Sequence, residues 1–321
     1  MKCIVTGCAG FVGSSIVDRL LGLGHEVVGI DCFVDYYPRN IKENNLERAR
    51  SSSKFSLIEE SLCTIDLEKL LRGAEVIFHQ AAQAGVRASW GVSFSIYTDN
   101  NIFATQRLLE AAKSKEVLST LKRVVYASSS SVYGSAETLP TSELTLPRPV
   151  SPYGVSKLAA EHLMELYRTE FLVPTVSLRY FTVYGPRQRP DMAFHRIIKA
   201  GLTGEPFSLF GDGEQSRDFT FIDDIVDANL AAVNVKGPSH IFNLGGGNRI
   251  TMNKVIPMIE NIIGRRLNLV REERAKGDAA HTGAETTRAR TELLFVPKTS
   301  LEHGLEAEAR WVSQMLQDAV F

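Results

Sequence analysis

Residues 2–13 read KCIVTGCAGFVG, and this stretch decides the fold class. The apolar run 2–6 has the composition of a buried strand, and Gly7, Gly10 and Gly13 follow it where a helical run begins. Glycines at such a turn let the backbone approach a pyrophosphate and direct a helix N-terminus at it. The segment predicts the first strand, turn and helix of a dinucleotide-binding domain.

The second predicted strand, 25–31, ends at Asp31, 21 residues after Gly10. A carboxylate at this point accepts both hydroxyls of an adenosine ribose and repels a 2′-phosphate. Because Cys32 and Phe33 offer no cation, the sequence predicts NAD rather than NADP. The spacing is GxxGxxG rather than GxGxxG, and a tight turn with a helix cap is the structural alternative.

Short β-branched runs continue to alternate with helical segments, which predicts a Rossmann-type, doubly wound parallel sheet in the α/β class. Further strands are predicted at 54–59, 75–79, 123–127 and 175–179, and helices at 101–112 and 158–171. From Gly185 the pattern breaks into Pro- and Gly-rich loops, while a helix at 223–235 and a strand at 241–244 return to the sheet. We therefore expect an NAD-binding domain of residues 1–180 and 221–244, and a smaller α/β substrate lobe of residues 181–220 and 245–321.

Composition excludes several other classes. The 36 basic and 37 acidic residues give a net charge of −1, which disfavours a nucleic-acid binder. No apolar run approaches a membrane span, and the strand pattern begins at Lys2 without a signal peptide, so we expect a cytoplasmic protein. The four cysteines lack CxxC spacing, which predicts reduced thiols and no metal site.

Tyr153 and Lys157 stand four residues apart in SPYGVSK, at the start of a predicted helix, and therefore share one face. An ammonium and a nicotinamide cation beside the phenol favour its phenolate, which makes Tyr153 a candidate general base. Lys157 would also bind the nicotinamide ribose, and Ser129, after the fifth strand, would place a hydroxyl near the reacting oxygen. Taken alone, such a Tyr–Lys pair is commonly a solvated helix face.

The chain resembles the extended short-chain dehydrogenases that act on nucleotide sugars. The motifs that carry the resemblance span nearly the whole chain: TGCAGFVG, HQAAQAGVR, ASSSSVYG, SPYGVSK, RYFTVYGP and FGDGEQSRDF. Within that family, RYFTVYGPRQRPDMAF is similar to the segment of the UDP-glucuronate 4-epimerase subgroup, with Thr182 where many other relatives carry Asn. The resemblance implies that the smaller lobe binds a nucleotide sugar.

The resemblance also implies roles for individual residues. The catalytic set is Ser129, Tyr153 and Lys157. The cofactor contacts, besides Tyr153 and Lys157, are Gly7, Gly10, Phe11, Val12, Gly13, Asp31, Ser61, Leu62, Gln80, Ala81, Ala82, Asn101 and Phe181. Relatives usually carry Asp before an apolar residue where this chain has Ser61 and Leu62, so the adenine contact differs there.

Substrate contacts are expected at the carboxyl ends of the strands and on the later loops. The Arg87 fork matches a carboxylate or phosphate, with a salt bridge as its structural alternative, and Ser130, Ser131 and Thr182 add hydroxyls for a hexuronate carboxylate. The resemblance assigns the remaining contacts to the diphosphate, uracil and uridine ribose: Arg189, Arg217, Phe194, Phe210 and Asp278. Ala275 stands where the family has an Arg near that acid.

The residue pattern also favours one reaction within the family. Related 4,6-dehydratases carry an Asp–Glu pair where this chain has Ser130 and Ser131, and related decarboxylases carry Glu and Asn in place of Ser131 and Thr182. We therefore expect C4 epimerisation of UDP-glucuronate to UDP-galacturonate through a 4-keto intermediate, with NAD regenerated in every turnover.

Other functions remain open from the residues. A UDP-glucose or UDP-N-acetylhexosamine 4-epimerase, a UDP-glucuronate decarboxylase, and an NAD-sensing or scaffold protein are the alternatives. Relatives pair through the two helices that follow Asn101 and Tyr153, so a homodimer built on a four-helix bundle is expected.

Overall fold

A computed structural model describes residues 1–247, 249–273, 277 and 279–321. Its strands, in chain order, are β1 Lys2–Thr6, β2 Glu26–Ile30, β3 Phe55–Ile58, β4 Val76–His79, β5 Arg123–Ser129, β6 Thr175–Tyr180, β7 Val183–Tyr184, β8 Phe207–Phe210, β9 Ser216–Asp218, β10 Thr220–Phe221, β11 Ile241–Leu244, β12 Arg249–Thr251 and β13 Leu269–Glu272. The six early predicted strands and the predicted return strand are all present.

The α-helices, in chain order, are α1 Phe11–Gly22, α2 Arg39–Asn45, α3 Glu47–Arg50, α4 Leu67–Leu71, α5 Phe94–Tyr97, α6 Ala104–Ala112, α7 Lys115–Leu118, α8 Pro152–Phe171, α9 Ala193–Thr203, α10 Ile222–Val233, α11 Met252–Ile263, α12 Thr287–Glu292 and α13 Leu301–Gln317. Helix α8 begins at Ser151, whose side chain accepts a hydrogen bond from the N–H of Gly154, with Pro152 in the first turn. The helix predicted at 101–112 is only partly α-helical, because Thr98–Phe103 form a π-helix.

Seven strands form one parallel sheet in the order β11-β6-β5-β4-β1-β2-β3. The strand order reverses beside β1, which lies between β4 and β2, and ligands bind at such switch points in open α/β sheets. The remaining strands form three two-stranded pairs: β7 with β10, β8 with β13, and β9 with β12. The predicted Rossmann-type fold is confirmed.

Alternate residues of β1 face opposite sides of the sheet. Cys3 and Val5 belong to a core that continues through α1, α10 and α13, whereas Ile4 belongs to a second core with α6 and α8. Because the first core extends into the predicted substrate lobe, the two lobes share buried apolar side chains. The domain boundaries predicted from sequence stay a prediction. Among the helices of the described residues, none is both long and apolar enough to cross a membrane.

Candidate active site

A cavity of about 220 Å³ opens at the carboxyl ends of the central strands. Twelve of the predicted cofactor residues line it: Gly7, Gly10, Phe11, Val12, Gly13, Asp31, Leu62, Gln80, Ala81, Ala82, Tyr153 and Lys157. Segments distant in sequence therefore meet at the switch point of the sheet, where the fold places a dinucleotide.

The glycine turn closely approaches the exit of β4. Gly7 has a φ of +66°, and a Cβ on it would lie 2.7 Å from the backbone nitrogen of Ala81. Only glycine tolerates both conditions. Asp31 accepts hydrogen bonds from the N–H groups of Ala9 at 3.0 Å and Phe33 at 2.8 Å, so its carboxylate is fixed at the cavity wall. Burial raises the pKa of Asp31, and these two N–H groups oppose that effect.

Lys42 brings a cation to the same part of the cavity, which the sequence analysis missed. Its Nζ donates to the carbonyl of Val34 and lies 4.7 Å from the centre of the Tyr37 ring. Burial lowers the pKa of Lys42, and the nearby Asp31 charge acts in the opposite direction. The prediction of NAD considered only Cys32 and Phe33, which follow Asp31 directly, whereas this cation comes from α2, which places Lys42 on the cavity wall.

A buried polar network fixes the cavity wall that follows β4. Thr105 Oγ1 donates to the carbonyl of Asn101 and therefore accepts from His79 Nε2 at 2.9 Å, which leaves His79 Nδ1 to accept from Thr6 Oγ1 at 2.8 Å. Thr6 Oγ1 in turn accepts from the N–H of Ala81 at 3.1 Å. Burial lowers the pKa of His79 to about 3, so the neutral ring holds this arrangement through the physiological range.

Tyr153 and Lys157 project from the first turns of α8 into the cavity. Burial raises the pKa of Tyr153, whereas a hydrogen bond with Ser129 and the charge of Arg189 lower it. Lys157 is 3% exposed, and burial lowers its pKa to about 7. Its Nζ lies 4.7 Å from the centre of the Tyr126 ring. The phenol thus lies between a hydroxyl and a cation, as a general base requires.

A buried ion pair lies one helical turn beyond Lys157. Glu161 accepts from Ser128 Oγ at 2.6 Å and from Arg179 Nε at 3.0 Å, and Arg179 Nη1 donates to Tyr133 Oη at 2.6 Å. Glu161 also raises the pKa of Lys157 against the larger effect of burial. This network ties α8 to β5 and β6 and fixes the helix that carries the catalytic pair.

The serine run forms a turn rather than continuing the strand. The N–H of Ser131 donates to Ser129 Oγ at 3.1 Å, and a 3₁₀ turn covers Ser130–Val132. A Cβ on Gly154 would lie 2.6 Å from the carbonyl oxygen of Ser131, so the glycine between Tyr153 and Lys157 lets α8 pack directly on this turn. Ser130, Ser131 and Thr182 are all half-buried.

Arg189 lines the same cavity as Tyr153 and Lys157. Its Nε and Nη2 donate to Asp191 at 2.9 and 3.0 Å, and Tyr36 Oη donates to Asp191 at 3.2 Å. Among the described residues, Nη1 of Arg189 has no hydrogen-bond partner, which leaves one donor of the fork for a ligand. The structure thus places this arginine with the catalytic pair rather than with Arg217.

A second cavity, of about 300 Å³, contains Arg87, Phe210 and Arg217. The guanidinium of Arg87 lies 4.2 Å from the centre of the Phe210 ring, and Arg217 Nη1 donates to the carbonyl of Ala280 at 3.1 Å. Two cations and an aromatic ring suit a nucleoside diphosphate. The sequence predicts Arg87 beside the serine turn and Arg189 beside Arg217. In the structure, Arg87 lies in the cavity of Arg217, and Arg189 lies in the cavity of Tyr153 and Lys157.

Eight of the predicted contacts among the described residues do not line these cavities: Ser61, Asn101, Ser129, Ser130, Ser131, Phe181, Thr182 and Phe194. Asn101 is 1% exposed, and its amide bonds the backbone of Gln83 and Ser156 Oγ, while the neighbouring Asn100 lines the first cavity. The π-helix shifts the helical phase here, so that Asn100 lines the cavity, and the cofactor contact of Asn101 stays a prediction. Ser61 Oγ accepts from the N–H of Cys63 at 3.1 Å.

Two aromatic residues that were predicted to contact a ligand, Phe194 and Phe181, lie in apolar surroundings. Phe194 is 1% exposed, and its ring centre lies 4.3 Å from that of Phe219, so this geometry does not present it to uracil. Phe181 is also 1% exposed and packs near Tyr133 at 6.3 Å, which leaves only its backbone for a ligand. Asp278 and Ala275 lie outside the described residues.

Fold and site together define a class of enzyme: one that binds a dinucleotide on a Rossmann-type sheet and uses a Tyr–Lys pair for acid–base chemistry. The chain belongs to the NAD dependent epimerase/dehydratase family, whose model matches residues 3–245. The sequence-based recognition and the prediction of NAD are therefore confirmed. The cavity fits this cofactor, because Asp31 and the glycine turn lie where the ribose and pyrophosphate bind.

Individual relatives are similar over their full length. The Bacillus subtilis (strain 168) protein "Uncharacterized UDP-glucose epimerase YtcB" is 45% identical over 322 residues, which cover 99% of each chain. The crystal structure of UDP-glucuronic acid 4-epimerase from Bacillus cereus, in complex with UDP-glucuronic acid and NAD, is 44% identical with a TM-score of 0.94; it covers 98% of this chain and 100% of that chain.

A third relative has a different named substrate. The structure of UDP-N-acetylglucosamine 4-epimerase from Methanobrevibacter ruminantium M1, in complex with UDP-N-acetylmuramic acid, is 31% identical with a TM-score of 0.89 and covers 98% of this chain and 99% of that chain. The named sugars of these relatives differ, whereas 4-epimerisation of a UDP-sugar is common to the two solved structures.

Proposed function

We propose that this protein catalyses the NAD-dependent C4 epimerisation of UDP-glucuronate to UDP-galacturonate. The observation that carries the proposal is the position of Arg189, a cation that is 22% exposed and whose Nη1 has no hydrogen-bond partner among the described residues, in the cavity of Tyr153 and Lys157. A sugar carboxylate there would accept a charge-assisted hydrogen bond, which a neutral hexose lacks. The hydroxyls of Ser130, Ser131 and Thr182 supply further donors.

The chain's own residues account for proton transfer. Tyr153 Oη takes the proton from the sugar O4. The Ser129 hydroxyl favours the phenolate before this step, and its single donor passes to the reacting oxygen once the phenol is protonated. Lys157 adds positive charge that favours the phenolate and holds the nicotinamide ribose. NAD, when bound, supplies the hydride acceptor and donor at C4. Inversion requires the 4-keto sugar to present its other face before hydride returns.

The second cavity would bind the nucleotide while the 4-keto sugar rotates. Arg87 and Arg217 would hold the diphosphate, with Phe210 against the uracil, so the nucleotide stays bound while the sugar turns. Ser130 and Ser131 provide no carboxyl for the acid–base steps of a dehydratase. A 4-keto hexuronate is also a β-keto acid, so the site must keep its carboxylate away from the orientation that releases carbon dioxide.

A UDP-glucose 4-epimerase is the second candidate, and the name of the 45% identical Bacillus subtilis relative favours it. Proton NMR of the protein with UDP-glucuronate, UDP-glucose or UDP-N-acetylglucosamine, in separate incubations, distinguishes the candidates. We expect the galacto product from UDP-glucuronate at a kcat/KM at least about tenfold above the neutral sugars, since one charge-assisted hydrogen bond contributes about 1.5–3 kcal/mol. Faster turnover of UDP-glucose, or formation of a UDP-pentose as the main product, would contradict the proposal.

We also propose a homodimer through α6, its preceding π-helix, and α8. Large apolar side chains on these helices are 44–50% exposed: Phe103 48%, Val155 47%, Leu166 50% and Phe171 44%. Light scattering after size exclusion tests this, and Phe103→Glu should convert a dimer into a monomer. A monomeric wild-type protein would contradict it. The cytoplasmic location stays a prediction.

A further inference from the structure

The segment Gly185 to Asp191, GPRQRPD, carries Arg189 from the end of β7 into the cavity of Tyr153. The position of this segment therefore determines whether the Arg189 guanidinium lies near Tyr153. In the first half of this segment, the N–H of Gly185 donates to Glu308 on α13, and Arg187 donates to Asp18 on α1.

Arg187 lies in this first half and has a φ of +72°, in the left-handed region that non-glycine residues rarely adopt. Such a residue persists only where its surroundings hold it, and these conformations concentrate at functional sites. Arg187 Nη2 donates to Asp18 Oδ2 at 2.8 Å, and the two side chains are only 20% and 14% exposed. Asp18 belongs to α1, the helix that follows the glycine turn.

Gln188 links Arg187 rigidly to Arg189. It is 1% exposed, its Nε2 donates to the carbonyl of Val183 at 3.1 Å, and its Oε1 accepts from the N–H of His195 at 2.9 Å. Val183, Gln188 and His195 therefore form one hydrogen-bonded unit, to which Arg187 and Arg189 are directly attached in the chain.

We propose that Asp18 and Arg187 are positioning residues, whose ion pair holds Arg187 in the left-handed conformation and so places Arg189 beside Tyr153. The proposal rests on the proposed function in one respect, because the rate it affects is that of proton transfer by Tyr153. The ion pair also connects the helix of the dinucleotide turn to the substrate side of the cavity.

Two variants test the proposal. Asp18→Asn keeps the shape of the side chain and removes its charge, while Arg187→Ala removes the guanidinium and leaves a residue that disfavours the left-handed backbone. Each should lower kcat about 10- to 100-fold, because displacement of a positioned group acts on the reacting geometry, and should also raise the KM for UDP-glucuronate, whose carboxylate Arg189 would bind. The double variant should be no slower than the slower single variant, since both remove the same ion pair.

Arg19→Gln is the matched control. Arg19 also lies on α1 and pairs with Asp227, but both side chains are 37% exposed and neither belongs to the segment that carries Arg189. We expect its kcat to stay within about twofold of wild type, as surface ion pairs contribute little. If Asp18→Asn behaves like this control, with a lower melting temperature and an unchanged kcat, the ion pair is only structural and the proposal fails.

A measurement that does not require turnover tests the positioning role independently of the proposed function. The charged and titratable groups that face Tyr153 are Arg189, Tyr97, Tyr126 and Lys157. Each protein is titrated by ultraviolet absorbance, and the titration of the same protein carrying Tyr153→Phe is subtracted. The difference reports the formation of the Tyr153 phenolate. Its midpoint should rise in Asp18→Asn, because a displaced Arg189 no longer favours the phenolate. A shifted midpoint in a protein that fails to epimerise UDP-glucuronate supports the positioning role while rejecting the substrate; an unshifted midpoint overturns the positioning role.

Discussion

Arg189 and Tyr153, 36 residues apart in the chain, line one cavity, and the guanidinium of Arg189 lowers the pKa of the Tyr153 phenol against the larger effect of burial. A buried phenol is a weak base unless neighbouring donors and cations favour its ionised form. The Ser129 hydroxyl acts in the same direction as the arginine. The proposed catalytic centre thus combines residues from α8, the exit of β5 and the loop after β7.

Tyr153→Phe removes the proton acceptor and keeps the aromatic packing. We expect turnover to fall about 10²- to 10⁴-fold, the usual contribution of a positioned general base, with the affinity for UDP nearly unchanged. Progress curves by NMR and calorimetry with UDP measure the two quantities. Tyr97→Phe is the matched control, because its ring centre lies 6.3 Å from that of Tyr153 and its hydroxyl bonds the backbone carbonyls of Ala84 and Gly85. Comparable losses in both variants would remove Tyr153 from the mechanism.

Arg87→Ala tests whether Arg87 binds the nucleotide rather than the sugar carboxylate. If Arg87 binds the nucleotide, its loss weakens inhibition by UDP about tenfold or more, given about 1.5–3 kcal/mol for a charge-assisted hydrogen bond, and leaves the product ratio unchanged. Arg196→Ala is the control, because that guanidinium also stacks on a phenylalanine, 5.5 Å from the Phe207 ring centre, but lies on α9. A higher share of decarboxylated product in Arg87→Ala would return Arg87 to the sugar carboxylate, as the sequence analysis expected.

Thr182→Val removes one hydroxyl from the expected carboxylate site without changing the side-chain shape. A less constrained carboxylate reaches the orientation that favours loss of carbon dioxide, so the ratio of UDP-4-keto-pentose to epimer should rise about tenfold, the effect of about 1.4 kcal/mol on partitioning. NMR with trapped carbon dioxide measures the ratio. Thr220→Val is a close control, because Thr220 is fully buried and its N–H bonds the carbonyl of Thr182. An even loss of both products in Thr182→Val would limit Thr182 to substrate binding.

The strands and helices of the seven-stranded sheet were largely predictable, since their positions follow from periodicity. The strand at 241–244 and the pair Tyr153 and Lys157 lie where a strand signal and a helix start place them. Long-range placement was not predictable in the same way. Arg87 and Arg189 lie on irregular loops, where no period fixes a direction, so chemistry alone could not assign each to its cavity.

Two smaller differences between the predicted and the observed site have local causes. The π-helix at Thr98–Phe103 changes the helical phase, so that Asn100 rather than Asn101 lines the cavity. A run of two asparagines was the available signal, and choosing between them needed the backbone. Lys42 reaches Asp31 only because α2 packs over the cavity, and nothing in its local sequence marks it as a ligand-binding cation.

Cofactor choice should depend on Asp31 and Lys42 together. Asp31→Ala removes a ribose acceptor and leaves the Lys42 cation without that carboxylate, so NAD should bind about 10- to 100-fold more weakly and its advantage over NADP should shrink. The double variant Asp31→Ala/Lys42→Ala should regain part of that advantage, because the cation that attracts a 2′-phosphate is gone. Calorimetric titration of cofactor-depleted protein with NAD and NADP measures both affinities. An unchanged preference in Asp31→Ala would show that the ribose is held by other groups.

Glu308 predicts a pH dependence of stability that is independent of the reaction. This residue of α13 is fully buried, and its Oε2 accepts from the N–H of Gly185, while Oε1 has no partner among the described residues. Burial raises the pKa of Glu308 well above its ordinary value. A carboxyl with a raised folded-state pKa stabilises the protein below its unfolded-state pKa, and that contribution is lost as pH rises through the folded-state pKa.

Glu308→Gln keeps an acceptor for Gly185 and cannot ionise, so it should be more stable than wild type at neutral pH. The difference in the free energy of unfolding should grow by up to about 1.4 kcal/mol per pH unit above the unfolded-state pKa of about 4.3, until the folded protein also ionises. Urea unfolding at a series of pH values from about 5 to 8 measures it. Glu306→Gln is the matched control, because Glu306 lies on the same helix in an exposed pair with Arg310, and a surface change there should stay within about 0.5 kcal/mol. A constant difference between Glu308→Gln and wild type across this range would mean that Glu308 is ionised in the folded protein and that its buried charge is compensated.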